Sequence, residues 1–240
     1  MAIKQQEFRF VEWSRGVSQG TYDVAHVIEC LRSSGLPAPR VADVGGGIGS
    51  VAFAIVGAIE HATVDVFDNS ELAKSGFVDH ERVRLLFGDF CQAEVTEQYD
   101  AVIFRTVLHH FVCATELETT LLQSSALAKA ASMLSGGGTI YITENFYESK
   151  FSADLCATLI YRLTRLKYAA SLFRALGANT AGEGVRFRSL QSWSALFAAN
   201  NLKICGDALK QQWAMPAWQR VPLLCSERFQ GLVKLQRTQD

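Results

Sequence analysis

Asp43, Gly45, Gly47 and Gly49 sit in VADVGGGIGS (41–50), and their types and spacing point to a bound nucleotide. A glycine-rich turn lets backbone N–H groups approach a ligand with no side chain in the way. A helix opening after such a turn aims its N-terminus at the same ligand. Two patterns overlap in these ten residues. Gly47-Ile48-Gly49-Ser50-Val51-Ala52 fits the G-x-G-x-x-G/A dinucleotide fingerprint. Asp43, Gly45, Gly47 and Gly49 fit an acid-x-G-x-G-x-G loop instead. A pyrophosphate is an anion, so the turn that binds it has little use for an acid. A ligand that carries cationic groups does.

Other residues bear on that choice. Asp68, in VDVFDNS, lies where a carboxylate at the end of a second strand accepts both ribose hydroxyls. NAD enzymes share this feature, so it does not discriminate. Gly88-Asp89-Phe90 follows the apolar stretch Val83–Phe87 and suits an adenine amino group and ring face. His109 and His110, in VLHHF, are adjacent and face different directions on a helical turn, so both cannot line one small pocket. One of them can act as a base or hydrogen-bond donor towards an acceptor. His110 is the favoured base, because the apolar run before His109 makes that ring a wall of the cofactor pocket. No third residue with ligand spacing accompanies them, so a metal is not expected. Glu144, in YITENF, either holds a polar or cationic acceptor or pairs with an arginine. Trp13 and Tyr22, in VEWSRGVSQGTYD, precede the first helix and are candidates to fold over the nucleotide site.

These residues need a scaffold. Apolar runs predict strands at 41–44, 63–67, 83–87, 100–104 and 138–143, with helices at 50–59, 71–77 and 117–134 between them. Val24, Val27, Ile28 and Leu31 predict a helix in the preface. Strand–helix alternation implies an α/β fold with a parallel sheet and helices on both faces. Gly136-Gly137-Gly138 is expected to end the helix before the fifth strand. Residues 151–176 read as one or two helices. Ser189 reads as an N-cap for a helix through Ala199 that Asn200-Asn201 stops. Strands at about 202–207 and 229–236 suggest a closing hairpin.

In order and at this spacing, VADVGGGIGS, VDVFDNS, LLFGDF, YDAVIFRTVLHHF, LSGGGTIYITE and the terminal hairpin resemble the class I S-adenosylmethionine (SAM)-dependent methyltransferases of small-molecule type. The resemblance covers roughly residues 35–236. It implies a Rossmann-like, seven-stranded, mostly parallel sheet of order 3-2-1-4-5-7-6 with strand 7 antiparallel. It implies SAM as cofactor, lined by Tyr22, Asp43, Gly45, Gly47, Asp68, Asp89 and Phe90, with the backbone carbonyl of Arg105 on the methionine ammonium. Residues 1–40 would form a helical cap and 41–240 the catalytic domain, with a helical substrate lid at about 148–188. Trp13 and Glu144 would face substrate. The apolar side of that lid is alternatively a homodimer face.

Bulk properties narrow the acceptor. Net charge is −1 over 240 residues, which gives no electrostatic footprint for nucleic acid. FRTV follows the fourth strand where amino-methyltransferases of nucleobases carry an N-P-P-Y-type motif. Six cysteines without a C-x-x-C pair fit a reducing cytoplasm. No apolar run approaches about 18 residues, and MAIKQQEFRF has no signal core, so neither membrane nor export is expected. The expected function is methyl transfer to O, N or C of a small molecule, with a tailoring step in secondary metabolism as the analogy suggests. Protein or RNA methylation is the alternative within the class. NAD(P)-dependent oxidoreduction and SAM binding without catalysis are the alternatives outside it.

Overall fold

The helix α1 (Tyr22–Ser33) turns Val24, Val27, Ile28 and Leu31 inward, the four positions whose helical spacing marked it in the sequence. It leads into β1 (Arg40–Val44), where Val41, Ala42, Asp43 and Val44 are all buried. A strand covered on both faces needs such an unbroken apolar run, and Asp43 is its one polar interruption. The computed structural model describes residues 21–171, 182 and 184–238. Trp13 and the first half of the expected 1–40 cap lie outside them, as does part of the expected lid.

The chain divides into two compact units, one comprising residues up to Arg105 with Lys129–Tyr141, the other Thr106–Ala128 with Ile142–Asp240. In the first unit, α2 (Ser50–Ala58), β2 (Thr63–Asp68), α3 (Glu71–Gly76), β3 (Val83–Phe87) and β4 (Tyr99–Arg105) follow β1. All pairings are parallel, with Val41 opposite both Val64 and Ala101, and Val64 opposite Val83. Ser70 caps α3, its hydroxyl accepting from the Ala73 N–H at 3.1 Å. Phe67 packs edge-on against Phe90 at 5.3 Å and Tyr99 at 6.4 Å, and Phe90 meets Phe104 at 5.8 Å.

In the second unit a 3₁₀ turn (Leu108–His110) precedes α4 (Glu116–Ser132). After β5 (Leu134–Glu148) come α5 (Leu155–Thr164), α6 (Leu190–Ala199), β6 (Leu202–Ile204), β7 (Leu209–Gln212), α7 (Ala217–Arg220) and β8 (Glu227–Arg237). Ser189 caps α6 as expected, accepting from Ser192 N–H, and Asn201 leaves it with φ of 56°. Trp193 and Phe197 stack inside at 5.7 Å. Cys156, Ala157, Cys225 and Tyr147 form a small buried cluster of their own.

Strand order is β3-β2-β1-β4-β5-β8-β6, with β6 and β7 both antiparallel to β8. The expected order is present, but the sheet has eight strands rather than seven. The additional strand, β7, is short and exposed along its length, and Lys210 sits over the Phe229 ring. Such a short, charged edge strand is hard to read as a strand from sequence. The glycine triplet also differs from expectation. The helix already ends at Ser132, and Gly136–Gly138 lie inside β5. A Cβ on Gly138 would stand 3.0 Å from the Tyr99 carbonyl oxygen, so close approach to β4 is what demands the glycine. Among the described residues, no helix is long and apolar enough to cross a membrane.

Phe67 is 1% exposed and anchors the aromatic core of the first unit. Phe67→Ala should lower unfolding stability by about 3–5 kcal/mol, read as a lower denaturant midpoint at unchanged slope.

Candidate active site

The turn after β1 is built on three glycines with positive φ: Gly45 at 69°, Gly47 at 58° and Gly49 at 84°. Gly45 N–H donates to the Phe67 carbonyl at 2.7 Å, which ties the turn to the end of β2. Gly47 N–H donates to Asp68 Oδ2 at 2.9 Å, while Asp68 Oδ1 accepts from both N–H and hydroxyl of Ser70. Asp68 therefore braces the turn, and the capping role for α3 belongs to Ser70. Gly46 has a separate reason to be glycine. A Cβ there would lie 2.4 Å from Asp43 Oδ2.

Asp43 is 0% exposed, and neither carboxylate oxygen has a hydrogen-bond partner among the described residues. Burial is the main cause that pushes its pKa up to about 7, with Arg105 opposing and Asp68 reinforcing. Arg105 Nε donates to Asp23 Oδ2 at 2.6 Å, an ion pair between side chains 11% and 2% exposed. Tyr22 has a buried hydroxyl without a partner among the described residues. Burial, with the Asp23 charge, raises that phenol to about 12, so it stays a neutral donor. Asp89 is exposed and accepts from Cys91 N–H at 2.9 Å, a local turn. Phe90 packs into the aromatic core. Its ring is 5% exposed and meets Phe67 and Phe104 edge-on.

This set fits SAM. The glycine turn offers bare backbone, the orphaned Asp43 carboxylate suits a cationic amino acid end, and the Tyr22 hydroxyl is a spare donor for a carboxylate. Asp68 and Asp89 stand at the ends of β2 and β3, where the ribose and adenine of such a ligand would be held. Asp23 escaped the sequence reading, since an aspartate in the first turn of a helix looks like an ordinary cap. Only its distance from Arg105 distinguishes it.

The second unit holds the histidines. Thr106, just past β4, has φ of 51°, a conformation that costs a β-branched residue about 1–3 kcal/mol. The turn it starts carries His109 inward, 6% exposed, and leaves His110 exposed. His109 Nδ1 lies 2.7 Å from Glu144 Oε2, and Glu144 Oε1 accepts from His109 N–H at 3.3 Å. Glu144 is 0% exposed, so its pairing partner is this histidine and not an arginine. The sequence favoured His110 as the base; the orienting carboxylate is on His109. Phe187 stacks on the His109 ring at 4.4 Å. His110 sits on the outer side of the turn, its ring centroid 4.2 Å from that of His109.

A mostly parallel sheet in this order with an acid-glycine turn after its first strand is the class I methyltransferase fold. The chain belongs to the O-methyltransferase domain family, whose model matches residues 9–174. No curated protein matches it in sequence. Among solved structures, it is similar to the mitomycin 7-O-methyltransferase MmcR at 18% identity, covering 84% of this chain and 49% of that one, with a TM-score of 0.53. Human N-acetylserotonin methyltransferase in complex with SAM gives 17% identity, 91% and 52% coverage, and a TM-score of 0.57. The YcgJ protein of Bacillus subtilis gives 17% identity, 90% and 100% coverage, and a TM-score of 0.58. At such identities the likeness is one of fold. The chain spans about half the length of the first two proteins.

Two outcomes follow from Asp43. Its folded pKa exceeds the ordinary value of 3.8, so the unfolded chain loses its proton first. Stability therefore falls as pH rises from 3.8 to about 7 and is flat above. Asp43→Asn removes that loss, and the ligand-free variant should melt higher than the native chain at pH 8. A cationic ligand end favours the ionised acid, so S-adenosylhomocysteine (SAH) should bind more tightly at pH 7.5 than at pH 6 by calorimetry. The Asn variant should bind at least tenfold more weakly at pH 7.5, with a flatter dependence.

Proposed function

We propose that the chain catalyses SAM-dependent methyl transfer to a hydroxyl oxygen of a small molecule, with His109 as general base. The buried His109–Glu144 pair is the observation that carries this reading. An ionised carboxylate can only accept, so Glu144 takes a hydrogen bond from Nδ1–H. That tautomer leaves the lone pair on Nε2, free to take the hydroxyl proton as the oxygen becomes a nucleophile. Glu144 then stabilises the imidazolium that forms. SAM supplies an electrophilic methyl group on its sulfonium. Tyr22 and Asp43 hold the methionine end, Asp68 the ribose, Asp89 the adenine amino group, and the Arg105 carbonyl accepts from the methionine ammonium.

Phe187 belongs to the segment 148–188, and its place on the His109 ring supports a substrate-facing role for that segment. Glu144, placed by sequence at the substrate, acts in this reading through His109. His110 stays a substrate contact. Family membership favours oxygen over nitrogen or carbon as acceptor atom. The mitomycin enzyme among the similar structures supports natural-product tailoring as the setting. All six cysteines are free, which suits the cytoplasm we assign to the protein.

The test is methyl transfer from labelled SAM across a panel of phenols and alcohols. His109→Ala should lower kcat by about 10²–10⁴ while SAH affinity stays within twofold. His110→Ala should cost far less. Equal small losses in both variants would remove the base from the mechanism.

A further inference from the structure

Gln123 lies on α4 and is 0% exposed. A buried carboxamide is tolerated when its donors and acceptor are satisfied, and here they are spent on particular partners. Nε2 donates to the Leu108 carbonyl at 3.0 Å and to the Arg186 carbonyl at 3.1 Å. Oε1 accepts from Arg188 Nε at 2.9 Å. Arg188 is itself buried, and its guanidinium also donates to Thr120 Oγ1 at 2.8 Å. Since arginine only donates, it fixes which end of the carboxamide faces it. The amide NH₂ is thereby aimed at the two carbonyls.

Those carbonyls flank the imidazole. Leu108 is the residue before His109. Arg186 N–H donates to the His109 carbonyl at 2.9 Å, and Arg186 precedes Phe187, whose ring stacks on His109 with 29° between planes. Glu144 fixes the tautomer and one in-plane direction of the ring. It does not fix the tilt of the plane; the Phe187 stack does. The stack holds only if the strand of chain at 186–188 keeps its register with the turn at 108–110. Gln123 bonds to both.

We propose that Gln123 is a positioning residue for the His109 imidazole: with Arg188 behind it, its carboxamide staples the turn bearing His109 to the segment bearing Phe187. This role rests on His109 being the base. Positioning matters for proton transfer because the base must reach a hydroxyl already aligned for attack, and a shift of about 1 Å can cost on the order of 100-fold in rate.

The experiment is ¹⁵N NMR of the histidine rings in the full chain, with the His109 signals assigned by their loss in His109→Gln. In the native chain, Nδ1 of His109 should be protonated and its proton slow to exchange with water. In Gln123→Met, which keeps shape and removes all three hydrogen bonds, that proton should exchange fast and the two tautomers should mix. Gln123→Asn, too short to reach both carbonyls, should show the same change and serves if the Met variant does not fold. Both folded variants should keep native SAH affinity, and kcat towards any phenol turned over by the native chain should fall about 10- to 100-fold. Phe187→Leu should reproduce the ring signature with Gln123 intact, and Phe187→Tyr should restore it. A native His109 signal in a folded Gln123 variant would overturn the positioning role and leave the base assignment untouched. Native activity in His109→Gln would overturn the base assignment, whatever the Gln123 variants show.

Discussion

Asp43 is the next-to-last residue of a strand whose other buried residues are Val and Ala, and its carboxylate has neither solvent nor a hydrogen-bond partner among the described residues. Keeping a proton up to about pH 7 in place of 3.8 corresponds to on the order of 4 kcal/mol of disfavoured ionisation. Much around the turn follows from that burial. Gly46 must lack a side chain because the carboxylate occupies its space. Gly45 and Gly47 must take positive φ so that their N–H groups reach Phe67 and Asp68. The Arg105 guanidinium, engaged by Asp23, lies near enough to temper the acid without neutralising it. A site so arranged is an unfinished ion pair, and a ligand with a positive end completes it.

The second unit handles its buried acid differently. Glu144 is as deeply buried as Asp43, yet it is satisfied by His109 and by the N–H of Asn145 at 3.2 Å. One carboxylate is left without a partner among the described residues, whereas the other is held by a histidine. Strained backbone at Thr106 starts the turn that carries the imidazole, and the Phe187 ring stacks on it.

How far the sequence could be read varied with the range of the interaction. Periodicity placed strands 41–44, 63–67 and 83–87 to within a residue or so, because parallel strands buried on both faces must be apolar throughout. Asp43, Gly47 and Asp68 could be singled out because the turn that joins them is local to a strand end. The histidines could be found but not ranked. His109 differs from His110 through Glu144, 35 residues later, and through Phe187, and neither contact leaves a pattern in a single sequence. Phe90 shows a similar limit: an aromatic after a Gly-Asp pair serves a ligand or a core equally well. Gly138 obeyed a rule of strand proximity where a rule of helix ends was applied.

Cys156 and Cys225 share one buried cluster of the second unit, while the other four cysteines are partly exposed. Thiol reagents therefore divide the molecule by time. Cys30, Cys91, Cys113 and Cys205 report the native surface, but Cys156 and Cys225 become reactive only when the packing against Tyr147, Ile160 and Leu223 comes apart. Their alkylation rate is a clock for opening of that unit alone, built into the chain without a label. Slowing of that clock on addition of an acceptor would register acceptor binding in the second unit before any methyl group moves.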